Sequence, residues 1–266
     1  CIYCGIPETE TKLKKEHIIP YSLYGNDVIQ KASCQSCEAV TSSFEGRCIR
    51  TMYRLLRLRF GIRSRRKKRK ALTLKAPVII NGSDCEIEMP VDGVIGLIGF
   101  IKLLPPGFQR SPRIVPKCFG GATLSMKNIG PRDKKVWKNL NVSNAGADLI
   151  FHVESYALMM AKIAHCQTVK SLGYENFEHT LPKYILRQQT KGLPYYVGGL
   201  QEDEPASSPE DTHEVKLSIF RIGIEQYYIS VYVRLFAFLG GPTTEVIAGF
   251  LNESQFQNAV DRLTLN

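Results

Sequence analysis

The chain has 266 residues, 44% hydrophobic and 23% charged, a balance that fits a globular protein with one large domain or a small one joined to a larger one. No run of about 18 uninterrupted apolar residues occurs and no apolar leader follows Cys1, so neither a membrane partner nor secretion is expected and the reading is cytoplasmic. The formal charge of +10 is concentrated: thirteen Lys or Arg and no acidic residue lie between Arg47 and Lys75, leaving 22 basic against 25 acidic residues elsewhere.

Residues 1 to about 46 are turn-rich, with short apolar pieces at His17–Ile19 and Val28–Ile29. They predict a zinc knuckle, a short hairpin and the start of a helix. From about Ser36 to Phe60 the spacing is helical: Cys48, Met52 and Leu55 form one stripe, and Arg47, Arg50, Arg54 and Arg57 form another at steps of three and four. One face is then buried and the other offers four guanidinium groups. The run Arg63, Arg65, Arg66, Lys67, Lys68, Arg69 and Lys70 follows, and together these residues predict a phosphate-binding track that positions a backbone without reading its sequence.

Beyond residue 71 the pattern changes. Residues 71–80 and 85–89 alternate as strands around the turn signal Asn81-Gly82, and a glycine- and proline-rich stretch spans 105–131. A buried helix is expected over 148–172, stopped by Gly173 and interrupted by His152, Glu154, Ser155, Lys162 and His165. His152 and His165 read as core or contact residues, and Trp137 with the tyrosines at 195–196 and 227–228 as core aromatics. Residues 201–212 form an acidic, proline-containing loop expected to fold over the basic run and mask it. Val215–Ile224, Tyr228–Phe238 and Thr244–Phe250 read as three more strands. The fold class is α+β, with a module at 1–62, a basic linker at 63–75 and a mixed α+β region at 76–266 for recognition or regulation, where a protein partner would bind.

Eight cysteines divide into two groups. Cys48, Cys85, Cys118 and Cys166 are single and read as small buried hydrophobes. Cys1/Cys4 and Cys34/Cys37 form two Cys-x-x-Cys pairs, which without a secretion signal indicate one tetrahedral structural Zn²⁺ before they indicate disulfides. Between the pairs stands Lys15-Glu16-His17-Ile18-Ile19-Pro20.

Cys-Ile-Tyr-Cys-Gly, then Glu-His-Ile-Ile-Pro, then Ala-Ser-Cys-Gln-Ser-Cys resembles the HNH endonuclease family with its ββα-metal fold, over about residues 1–50. A looser match, Thr41-Ser42-x-Phe44-Glu45, is similar to a bacterial branch carrying a larger C-terminal region, which suggests defence or mobile-element roles. The resemblance implies metal-dependent DNA hydrolysis, RNA being a second possible substrate, one strand nicked per site. It implies His17 as general base, Glu16 as ligand to Mg²⁺ or Mn²⁺, and Glu38 as the second ligand where the family usually carries Asn or His. Glu45 is the fallback ligand on the same helix. The family's middle Asn has no evident counterpart: Asn26 lies in the loop and Lys31 nearer the expected position. A rival reading keeps the zinc fold as a nucleic-acid-binding module of weak or no activity.

Overall fold

A computed structural model describes residues 1–62, 73–94, 96–111, 113–129, 135–145, 150–200, 205–208 and 212–264. The basic run at 63–70 and most of the acidic stretch at 201–212 lie outside the described residues, and with them the masking idea. In chain order the elements are β1 (Lys14–His17), β2 (Val28–Ser33), α1 (Gln35–Arg50), α2 (Arg54–Arg59), β3 (Thr73–Ile80), β4 (Ser83–Pro90), β5 (Gly96–Lys102), α3 (Gly107–Arg110), β6 (Thr123–Ile129), α4 (Lys135–Asn139) and β7 (Val142–Ala145). Then come α5 (Val153–Leu172), β8 (Glu178–His179), α6 (Pro182–Ile185), α7 (Leu193–Tyr196), β9 (Val197–Gly199), β10 (His213–Gly223), β11 (Gln226–Leu235), β12 (Thr243–Asn252) and α8 (Glu253–Thr264). The fold is mixed α and β, as the sequence patterns require.

The organising element is α5. Fifteen of its 20 residues are buried, which a surface helix with one apolar stripe cannot manage. It lies against β11 and β12 on one side and α1 on the other. Those strands belong to an antiparallel sheet in the order β10-β11-β12-β8, with β9 also paired to β12. Gly173, at φ +84°, ends the helix by donating its N–H to Val169 O at 2.8 Å. Ile2, Tyr3, Phe44 and Cys48 of the N-terminal module pack in the same apolar core as α5 and the large sheet.

The expected long helix from Ser36 to Phe60 breaks at Thr51–Tyr53. The Thr51 hydroxyl donates to Arg47 O at 2.8 Å, and the Tyr53 N–H reaches back five residues to Cys48 O at 3.0 Å, so the regular ladder is lost. The break redirects α2, whose Leu55 and Leu58 pack on a second core made by Leu74, Ala76, Val78, Met89, Val91, Val94 and Val142. Arg59, buried, donates to Val91 O at 2.8 Å and Val94 O at 3.0 Å and ties α2 to this second core. The β3–β4 hairpin turns on Asn81 (φ +50°) and Gly82 (φ +81°), the two positive φ values of a type I′ turn.

The solitary cysteines split. Cys48 and Cys166 are buried as expected, whereas Cys85 and Cys118 are exposed, because β4 presents most of one length to solvent and Cys118 sits in an irregular segment. His165 is a core residue, and Trp137 donates its Nε1–H to Gly93 O at 2.6 Å beside the second core. Among the described residues, no helix is long and apolar enough to cross a membrane.

Candidate active site

The zinc end is built from two turns. Cys1 and Cys4 flank the first, and Cys34 and Cys37 sit where β2 runs into α1. The four Sγ atoms all lie within 4.8 Å of one another. Cys4 and Cys34 Sγ are 3.8 Å apart, close to the roughly 3.8 Å separating two thiolates on a tetrahedral zinc with bonds of about 2.3 Å. The Cys34 N–H points at Cys1 Sγ, 3.5 Å away. Burial pushes the Cys34 thiol up, but hydrogen bonds from Ser36 and the Cys37 backbone outweigh it and bring it down to about 7. Its partner Cys37 is pushed the opposite way, upward, by burial and by the neighbouring thiols; it is the convergence of four soft donors that fits a structural Zn²⁺.

Beginning beside Cys37 and running along α1 from Glu38 to Ile49 lies a cleft of about 240 Å³. Glu16 and His17 of β1 form one wall. Glu38, Ser42 and Glu45 of α1, at helix spacing, form the other, and Tyr21 closes the end. Local chain geometry builds it. The β1–β2 register slips between Lys14 and Glu16, and such a bulge re-aims the side chains beyond it. The loop then folds back so closely that a Cβ on Gly25 would meet the Ile19 carbonyl oxygen at 1.8 Å; only glycine fits there. The Tyr21 ring lies 5.5 Å from that of His17.

The carboxylates are already engaged. Glu38 accepts from Lys14 Nζ at 2.6 Å in an exposed pair. Glu16 and Glu45, both largely buried, share the ammonium of Lys162, which reaches across from α5 to Glu16 Oε1 at 2.8 Å and Glu45 Oε1 at 3.0 Å. Lys162 is fully buried and also donates to the carbonyls of His17 and, at 3.3 Å, Ile18. Burial pulls the Lys162 ammonium down, but Glu45, Cys166 and Glu16 outweigh it, and the net direction is upward. One ammonium cannot fully offset two buried carboxylates. Burial therefore raises Glu45 above the ordinary carboxylate range, with Lys162 opposing and Glu16 adding to the rise.

The predicted residues thus divide. Glu16, His17, Glu38 and Glu45 line one cleft, and Cys1, Cys4, Cys34 and Cys37 form one cluster. The three glutamates do not close into a second compact donor group among the described residues. Arg47, Arg50 and Arg54 are exposed, and the Arg50 guanidinium lies over Gly46 on the cleft rim, 2.7 Å from where a Cβ would stand. Arg57 is half-buried and donates from Nε to Ser22 O at 2.7 Å, so it holds the loop. Lys31 pairs with Glu8 at 3.1 Å, and neither it nor Asn26 lines the cleft. Sequence reasoning missed Lys14, Tyr21 and above all Lys162. The signal for Lys162 was a lone lysine inside an apolar helix, which burial obliges to find partners.

A two-stranded hairpin feeding a helix, with four clustered cysteines at one end and a histidine–carboxylate cleft at the other, defines a ββα-metal module. Residues 1–48 match the family model described as HNH endonuclease, the family that the sequence resembles. No curated protein and no solved structure matches the chain.

Proposed function

We propose that this protein is a metal-dependent HNH endonuclease that hydrolyses DNA phosphodiester bonds, nicking one strand at each site. The observation that carries this reading is the shared cleft: His17 opposes α1 carboxylates, beneath a rim bearing the Arg50 guanidinium. His17 serves as general base, since a neutral imidazole can take the proton of an attacking water. Arg47, Arg50 and Arg54, outside the cleft, hold the strand by its phosphates.

The donor chemistry suits a hard divalent cation: Glu16 and Glu38 supply carboxylate oxygens beside His17. Glu38 is the ligand of choice, because its present partner Lys14 is exposed and readily displaced. Glu45 is the reserve ligand. When bound, Mg²⁺ or Mn²⁺ supplies Lewis-acid stabilisation of charge on the phosphate. The carboxylates' existing ammonium partners favour a second reading, a zinc-stapled nucleic-acid-binding module of little or no activity.

Relaxation of supercoiled plasmid with Mg²⁺ or Mn²⁺ separates the two. The wild type is expected to nick, and His17→Ala to lose about 10²–10⁴-fold in rate with DNA affinity unchanged. Equal product from both proteins would remove His17 from the chemistry; no product from either, with salt-sensitive binding retained, would favour the binding module.

A further inference from the structure

Lys162 is an expensive residue to place where it is. Transferring an ammonium out of water is repaid only by close charged and polar partners, and Lys162, with no solvent exposure, finds four. Two are the carboxylates Glu16 and Glu45, and two are successive backbone carbonyls, His17 O and Ile18 O. The pattern of these partners is informative. Glu16 and the two carbonyls belong to β1 and its continuation, one wall of the cleft; Glu45 belongs to α1, the other. Lys162 therefore pins both walls from beneath. The Ile18 N–H is held in addition by Asp27 O at 3.0 Å, so the peptide following His17 is fixed at both its oxygen and its nitrogen.

The neighbouring loop is held in the same manner from outside residues 1–48. Arg57 holds Ser22 O, and the Tyr24 hydroxyl donates to Phe60 O at 2.8 Å. His213 of β10 accepts the Phe236 N–H on Nδ1 at 3.1 Å, which leaves Nε2 to donate to Leu23 O. Each of these touches the loop beyond Pro20. Lys162 reaches the carbonyl of His17 itself.

We propose that Lys162 is the positioning residue of the cleft: from α5 it sets the backbone of His17 and the separation between His17 and the α1 carboxylates, so that residues 1–48 hold a competent site only when α5 is docked. Its kinetic consequence rests on the nuclease reading; its structural consequence does not.

The test uses the full, zinc-loaded chain with Lys162→Met and Lys162→Gln, folding being checked by zinc content and thermal melting. The first readout is the ring nitrogen resonances of His17, assigned by their loss in His17→Ala. Both variants are expected to shift or broaden them, Met more than Gln, whose amide still offers a donor to the carbonyl. The second readout is plasmid nicking. Lys162→Met is expected to lose about 100-fold in kcat, the scale of a misplacement of about 1 Å, with KM within about twofold, and Lys162→Gln about tenfold. If only Lys162→Gln folds, its resonances and kcat decide alone. Any folded variant with wild-type His17 resonances overturns the proposal, as does one with wild-type kcat. A wild type that does not nick would count against the nuclease reading, and the His17 resonances would then judge Lys162 by themselves.

Discussion

The two ends of the N-terminal module are assembled by different means. At the zinc end all four donors come from within 37 residues of chain, and their convergence follows from two short turns and one strand-to-helix junction. At the cleft end His17 is local but its support is not. Lys162 reaches it over a sequence separation of 145 residues, and His213 reaches Leu23 over 190. The contrast explains how a module of under 50 residues holds its cleft open. One end gathers four cysteines that could hold a metal, whose binding would supply folding energy, and the other is closed by side chains lent from a larger core.

The zinc end gives the largest expected effect. Cys34→Ser removes a thiolate from a site whose metal binding is worth about 10–16 kcal/mol in small zinc modules, so stoichiometric zinc should be lost. Hydrogen exchange should then rise steeply at residues 1–6 and 34–37. It should rise less at 17–25, because Lys162, Arg57 and His213 still hold that loop. Equal loosening at both ends would break the contrast and make zinc the sole staple of the module.

That division also decides what the sequence could disclose. The cysteine pairs, the Asn81-Gly82 turn, the stop at Gly173 and the three long strands after residue 212 are all local signals, and each is found where its pattern lies. The β5–β6 hairpin was hidden because a long irregular connection, Pro- and Gly-rich, separates its strands. The helix α8 carries Phe256, Ala259, Val260 and Leu263 at helical spacing, a stripe that was there to be read in the sequence, although it buries only Ala259 fully. For the site, Glu16, His17, Glu38 and Glu45 were legible from spacing and resemblance. Their ammonium partner was not, since nothing local to Lys162 says which carboxylates it meets.

A smaller effect is expected from pH, again at the zinc end. His165 donates its Nε2–H to Ile2 O, 2.7 Å away, while its Nδ1 has no hydrogen-bond partner among the described residues. Burial lowers its pKa from 6.5 to about 4, with Ile2 O opposing and His179 adding to the fall. Because the folded value is depressed, the unfolded chain binds the proton first. Stability from this residue is present above about pH 6.5 and is lost as the pH falls toward 4, by at most about 3 kcal/mol. Urea unfolding of the zinc-loaded protein at pH 7 and pH 5 should show the decline, and His165→Gln should flatten it. An undiminished decline in that variant would assign the acid sensitivity to the zinc thiolates instead.

The smallest effect concerns the arginines, where one stripe serves both kinds of support. Arg47, Arg50 and Arg54 are exposed and free to meet phosphate, whereas Arg57 is committed to Ser22 O. An exposed cation that neutralises one phosphate contributes about 0.9 to the slope of log K against log salt on duplex DNA. Changing Arg47, Arg50 and Arg54 together to Ala should therefore lower the slope by up to about 3, measured by fluorescence anisotropy between 50 and 200 mM NaCl (about the range over which such contacts are felt). Melting temperature should barely move, because these side chains are exposed and tie no other element among the described residues. Arg57→Ala should do the reverse: little change in salt slope, and greater hydrogen exchange at residues 20–25 as the Ser22 carbonyl loses its donor. A triple variant with an unaltered slope would move the DNA track away from α1 and α2. A steep loss of slope in Arg57→Ala would mean that the loop tie gives way when phosphate arrives, and that the cleft end is less firmly held than the zinc end in a second respect.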